Sequence, residues 1–222
     1  MRSLVEQHGV TAVVETGTST GETSAFLARL DPSLPVYTCE IQPDTFKRAA
    51  TRLARFPNVK AFQSSSPAFL KSLLATGACG ELPLFWLDAH WFAYWPLRDE
   101  LSIITNNLEK AILMIDDFQV PGKPQFGFDT TADYQPGPTE SEPAVCGLDY
   151  IRPVLKHVNY AMWLSAYRRK DAFPWWDSRP LLGCCLIVVN APTLANSLEN
   201  NSFVKRFFEP HLEPGLSCGP KE

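Results

Sequence analysis

The stretch Val13-Val14-Glu15-Thr16-Gly17-Thr18-Ser19-Thr20-Gly21-Glu22-Thr23 passes from a β-branched run into helix formers through two glycines. Val10 to Glu15 reads as a buried strand that breaks at Gly17, since a short apolar run ended by a turn residue suits a strand covered on both faces. Glu22 to Leu30 reads as a helix stopped by Asp31-Pro32. Gly17 and Gly21 carry no Cβ, so a ligand can approach the backbone closely, and the following helix points its free N–H groups into the same space. Open α/β sheets bind ligands at such places, outside the carboxyl ends of the strands.

Working outward, strand and helix signals alternate. Val36 to Glu40 is a second strand, and Asp44 to Phe56 a helix with Phe46, Ala49, Leu53 and Phe56 at helical spacing, closed by Pro57. Val59 to Phe62 is a third strand. Ser66 and Pro67 then read as cap and first turn of a helix ended by Gly77. Leu84 to Leu87 and Ala111 to Ile115 are the fourth and fifth strands; between them Leu97, Leu101, Ile104 and Leu108 fall on one helix face. This rhythm predicts an α/β, doubly wound, mostly parallel sheet. Phe118 to Gly147 breaks it with five prolines and four glycines, and a loop of that length reads as a lid, a binding loop or a solvated insertion. Leu148 to Val158 is a helix interrupted near Pro153. Tyr160 to Tyr167 and Gly183 to Val189, with Phe173, Trp175 and Trp176 between them, complete seven strands as a terminal antiparallel pair.

Length predicts one unit over residues 1–222: a cofactor half to about residue 117, the loop 118–147, a substrate-side part 148–209 and a loose tail 210–222. Lys plus Arg number 20 against 24 Asp plus Glu, a net charge of −4 that lacks the basic footprint of a nucleic-acid binder. No apolar run is long enough for a membrane helix, and Met1 to Val10 has no export-signal core. The expected address is therefore the cytoplasm, with Cys39, Cys79, Cys146, Cys184, Cys185 and Cys218 as reduced thiols. About ten residues precede the first strand, so the wall of a second pocket would come from the long loop, the Phe173 to Trp176 region or a partner subunit, and a homodimer would supply the last.

The glycine loop admits three readings. A dinucleotide fingerprint wants G-x-G-x-x-G, which Ser19 and Thr20 break. Gly17-Thr18-Ser19-Thr20-Gly21 also matches G-x-S-x-G, the hydrolase elbow, although in that fold several strands precede the elbow and here only one does. The third is a nucleoside-binding loop. On Glu15-Thr16-Gly17-Thr18-Ser19-Thr20-Gly21, with Glu40 ending the second strand, the chain resembles class I S-adenosylmethionine-dependent methyltransferases over about Val10 to Phe118. The resemblance implies a Rossmann-like fold, S-adenosylmethionine held by Glu15, Gly17, Ser19 and Gly21, and its ribose by Glu40. A carboxylate suits that last task because it can accept from two adjacent hydroxyls. The acid usual after strand three is missing from Phe62-Gln63-Ser64-Ser65-Ser66, and Ser65 stands in.

Asp88-Ala89-His90-Trp91 ends the fourth strand and Asp116-Asp117 the fifth, so carboxylates of neighbouring strands converge beside the same pocket. Like charges this close call for shifted pKa values or a bound cation, although an Asp at a strand end also caps turns. The pattern resembles metal-dependent O-methyltransferases of the catechol and macrocin types. That likeness implies Mg²⁺ or Mn²⁺ on Asp88, Asp116 and Asp117, a small-molecule acceptor, and methyl transfer to oxygen. The catechol-type lysine base is absent; Phe92 stands at about its place, and His90 is the available replacement as the catalytic base beside Asp88. Trp91, Tyr94 and Trp95 read either as core or as a pocket wall. Another metal-dependent enzyme on this scaffold, a hydroxylase-like one, or a non-catalytic binding module would carry the same cofactor half, and a preference for NAD would mark an oxidoreductase.

Overall fold

The computed structural model describes residues 1–90, 94–130, 144–168 and 181–211. Five parallel strands form its centre: β1 (Ala12–Thr16), β2 (Val36–Glu40), β3 (Val59–Gln63), β4 (Pro83–Leu87) and β5 (Ala111–Ile115). Helices α2 (Glu22–Leu27), α3 (Pro43–Leu53), α4 (Ser66–Ala75) and α5 (Leu97–Asn107) connect them. Beyond β5, past the two-residue strand β6 (Phe126–Gly127), come α6 (Leu148–Leu155) and β7 (Tyr160–Ser165). The chain ends with β8 (Leu181–Leu182), β9 (Cys185–Val189), α7 (Pro192–Leu198), α8 (Ser202–Phe207) and β10 (Phe208–His211). The main sheet runs β10-β7-β9-β5-β4-β1-β2-β3, and β6 pairs β8 in a separate ribbon.

Alternation across the sheet explains why strands such as β5 and β9 are apolar at every position. Leu113 and Ile115 of β5 join the core cluster containing Leu101, Ile104 and Ile151, whereas Ile112 and Met114 join the cluster containing Leu4, Leu198 and Val204. All five residues of β1, β5 and β9 are buried, as two covered faces require. On α5, Leu97, Leu101 and Ile104 are buried as their spacing predicts.

Four differences from the sequence reading have physical causes. The sheet has eight strands rather than seven, because β10 pairs antiparallel with β7 and closes the edge. Pro210 and His211, expected in a loose tail, lie opposite Trp163 and Met162 in that pairing. A helix α1 (Arg2–Gln7) precedes β1, its Leu4 and Val5 buried, and contacts between α1 and α8 hold it. Ser65, not Ser66, stands at the N-cap position of α4, in extended backbone and without a side-chain cap bond. Within the long loop Phe126–Gly127 form β6, and residues 131–143 lie outside the described set, as do Phe173, Trp175 and Trp176. Cys39, Cys79, Cys146, Cys184 and Cys185 are buried thiols; Cys218 is outside the described residues. No described helix is long and apolar enough to cross a membrane.

Candidate active site

The glycine loop lies across the ends of β2 and β4. Gly17 and Thr18 N–H groups donate to the Cys39 carbonyl at 3.1 and 2.9 Å. Gly17 adopts φ +87°, and a Cβ there would stand 2.3 Å from the Asp88 carbonyl oxygen, so only glycine lets this loop pack on β4. Ser19 turns back at φ +47°, which aims its N–H at Glu40 Oε2, 2.9 Å away. Gln42 N–H donates to Glu40 Oε1 at 2.9 Å. The Glu40 carboxylate is thereby fixed from both sides, with lone pairs left for donors on a ligand. It lines a cavity of about 270 Å³ together with Gly17, Ile41, Ser64, Ser66 and Ala89. Ile41 is 37% exposed, an apolar face turned to the opening.

Of the residues expected to hold the cofactor, Gly17 and Glu40 line this cavity, and Ser19 reaches it through Glu40. Glu15 stands behind the wall: its Oε2 accepts from the Ser24 hydroxyl and, at 2.5 Å, from the Thr38 hydroxyl. Burial raises its carboxyl to about 8 against the opposing pull of those two hydroxyls. Gly21, at φ +80°, packs on the Leu53 side chain rather than on the cavity. Ser65 accepts from Phe69 N–H through its carbonyl, while its neighbours Ser64 and Ser66 line the opening. Ser19 is exposed at the surface, and its hydroxyl has no catalytic partner among the described residues, which leaves the hydrolase elbow unsupported.

The acidic cluster forms where β4 and β5 end, and it gains a member from the long loop. His90 Nε2 lies 2.9 Å from Asp88 Oδ1 and 3.8 Å from Asp117 Oδ2; its Nδ1 lies 2.9 Å from Asp129 Oδ2. Asp129 is brought there by its N–H, which donates to the Asp117 carbonyl at 2.9 Å. Burial pulls the His90 pKa down, but the bonds to Asp129 and Asp88 outweigh it and lift the ring to about 10. A ring with a carboxylate oxygen at 2.9 Å from each nitrogen donates from both and has no lone pair left to take a proton. In this arrangement His90 is thus a cation that holds the cluster together, which does not suit the base role expected from sequence. Burial, then Asp129 and Asp88, push the Asp117 carboxyl up to about 6. Its buried Oδ1 makes no hydrogen bond.

Asp116 does not join this set. Among the described residues the group that could offer a cation one ligand atom each, all within 4.8 Å, is Asp88, His90 and Asp117. Asp117 takes φ +49°, a turn that separates its direction from that of Asp116. Asp116 instead lines a small cavity with Glu100, Trp95 and Cys146, where burial, then Asp88 and Asp117, raise its pKa. The donor set of Asp88, His90 and Asp117 fits a divalent cation, and the bare Asp117 Oδ1 is the feature that favours one. Ligation through His90 requires loss of the Nε2 proton. Tyr94 forms cavity wall, whereas Trp95 is core, stacked on Tyr150 at 4.5 Å; Trp91 and Phe92 lie outside the described residues.

Sequence reasoning missed Asp129, Ile41, Ser66 and Glu100. Ile41 follows the strand-ending acid directly and was legible by position; Asp129, in a Pro- and Gly-rich loop, carries no local signal.

No family model matches the chain, and no curated protein matches it. Its fold, however, is shared with solved methyltransferases. The O-methyltransferase TomG from Streptomyces achromogenes, solved with SAM, superposes with a TM-score of 0.54 at 18% identity, over 85% of this chain and 77% of that one. The N-methyltransferase NodS from Bradyrhizobium japonicum does so at 0.50 and 14% identity, over 85% and 90%. The methyltransferase domain of bacterial CtHen1 gives 0.50 and 13%, over 85% and 93%. The chain therefore shares its fold with these solved O- and N-methyltransferases.

Proposed function

We propose that the protein transfers a methyl group from S-adenosylmethionine to an oxygen of a small-molecule acceptor, assisted by a divalent cation, Mg²⁺ or Mn²⁺. The observation that carries this reading is the Glu40 carboxylate, held by Ser19 and Gln42 N–H groups at the rim of the cavity below the glycine loop. Two adjacent ribose hydroxyls would complete its hydrogen bonding. Gly17 gives the loop its close approach, and Ile41 with Ala89 form an apolar slot for a flat base.

Transfer requires the sulfonium methyl and the acceptor oxygen in line at near-attack distance, and the acceptor hydroxyl must lose its proton. A cation held by Asp88, His90 and Asp117 would lower that hydroxyl's pKa. The chain's own part is to fix the donors: Asp129 accepts from His90 Nδ1, so that Nε2, once it has lost its proton, could face a cation beside Asp88 and the free Asp117 oxygen. Phe128 and Leu182, exposed at 38% and 37% beside Asp129 and on the β6–β8 ribbon, offer apolar surface for the body of the acceptor. A phenolic hydroxyl compound meets both requirements.

Titration calorimetry with S-adenosylmethionine, and methyl transfer to a panel of phenols with and without Mg²⁺, test the proposal. Glu40→Ala should lose cofactor binding, and Asp117→Ala should keep it while losing transfer. Unchanged cofactor binding in Glu40→Ala would overturn the reading.

A further inference from the structure

Helices α2 and α3 pack against each other, and their facing edges meet at two points. Arg52 Nη1 lies 2.9 Å from Glu22 Oε1, and the Arg29 guanidinium lies 4.8 Å from the centre of the Phe56 ring. Glu22, Phe26 and Arg29 follow at i, i+4 and i+7 along α2 and the turn after it. Arg48, Arg52 and Arg55 repeat that spacing along α3 and its following turn, so each triple falls on one face. Arg55 also stands over the Phe56 ring, 5.1 Å from its centre. Phe26, one turn from both Glu22 and Arg29, is 43% exposed. Glu22 is taken by Arg52, and Asp31, two residues past Arg29, accepts from the Ser33 N–H and hydroxyl at 2.8 and 2.6 Å. No described carboxylate pairs with Arg29, Arg48 or Arg55. Residues 45–80 carry six Lys and Arg and no Asp or Glu, in a chain whose net charge is −4. The groove is a cationic, aromatic island on an acidic protein.

We propose that this groove docks an acidic segment of another protein, whose apolar anchor covers Phe26 and Phe56 while its carboxylates meet Arg29, Arg48 and Arg55. Arginine and aromatic side chains carry much of the binding energy at interfaces, and a guanidinium can take a carboxylate through two parallel N–H donors. Arg29 and Arg55 are already held against Phe56, and Arg29 Nη1 donates to the Ala25 carbonyl at 3.0 Å, so little side-chain freedom is lost when a carboxylate arrives. The eleven residues of α3 span about 16 Å, which suits a short segment. A duplex or a lipid surface is broad and would bring its charge against the rest of an acidic molecule, where repulsion opposes it. A short peptide touches the groove alone, and the two rings call for an apolar group beside its charges. None of these side chains lines the cavity around Glu40, so this surface is separate from the cofactor site.

The test is fluorescence anisotropy of the full chain with a labelled peptide, Glu-rich around a central Trp, and with the same peptide carrying Gln for every Glu or Ala for Trp. The acidic peptide should bind, and the double variant Arg29→Glu/Arg55→Glu should weaken it on the order of tenfold or more. Phe26→Ser should weaken it roughly fivefold, about as much as removing the peptide's Trp does with the wild type. Added salt should weaken the wild type far more than the arginine variant, because it screens the charges that the variant has lost. A thermal midpoint near the wild-type value in each variant separates lost docking from a lost fold. Should the double variant fail to fold, Phe26→Ser and Arg48→Gln decide. Failure of the acidic peptide to bind, equal binding of the Gln peptide, or wild-type affinity in the arginine variant overturns the proposal. Tighter binding of single-stranded RNA or of phosphatidylcholine–phosphatidylserine vesicles, lost in the same variants, overturns it in favour of those occupants. Self-association in sedimentation that the substitutions abolish would make a second copy the occupant and overturn it likewise.

Discussion

Gly17 and Glu15 sit two residues apart and serve the site in different ways. Replacing Gly17 with alanine sets a Cβ 2.3 Å from the Asp88 carbonyl oxygen in a left-handed backbone, so Gly17→Ala should cost about 2–4 kcal/mol and displace the loop from Glu40. Urea unfolding with parallel calorimetry checks it, and normal nucleoside affinity in a destabilised variant would separate the loop from the site. Glu15 acts through its proton. Its folded pKa of about 8 lies above the ordinary carboxyl value of 4.5, so the folded state keeps a proton that the unfolded chain releases. Stability therefore falls as pH rises between those two values and levels off above the higher one, by up to about 5 kcal/mol. Glu15→Gln removes this slope: its stability relative to wild type should improve between about pH 5 and about pH 8. A difference that stays constant with pH would mean that Glu15 is charged in the fold.

Among the elements, α1 and α8 show how a short helix is held by another. The Asn201 side chain accepts from Phe203 and Val204 N–H groups to cap α8, and it reaches Ser3, Gln7 and His8 of the N-terminal segment. Asn201→Ala should cost about 2 kcal/mol, near the upper range for a lost cap because the α1 contacts go with it. Faster amide exchange in residues 2–7 would accompany that loss. Protection in α1 at the wild-type level would assign its stability to Leu4 and Val5 packing alone. Among the strands, β5 is read residue for residue from Ala111 to Ile115 because its burial is two-sided and every position is apolar. Strand β10 was not, since Phe208, Glu209, Pro210 and His211 carry no strand pattern and pair only because β7 leaves an open edge.

At the scale of the molecule, the cavity spans loops after β1, β2, β3 and β4, so a ligand that fills it ties these elements together. S-adenosylhomocysteine at about a hundred times its dissociation constant should add about 2.7 kcal/mol and raise the thermal midpoint by roughly 5–10 °C. Glu40→Ala should show no such shift at the same concentration. An equal rise in both proteins would place the ligand elsewhere on the chain.

The order of strands and helices, the glycine loop and the acids at strand ends follow from local chemistry: apolar runs, missing Cβ atoms and turn residues declare themselves within a few positions. Which carboxylates face one another is settled over longer distances. Asp116 and Asp117 are neighbours in sequence, yet one lines a cavity with Glu100 and the other joins Asp88, His90 and Asp129. Glu15 turns to Ser24 and Thr38 while Glu40 meets Ser19 and Gln42. An ionisable side chain points toward whatever partners the folded chain supplies, and those partners come from other elements, so only the tertiary structure decides its direction.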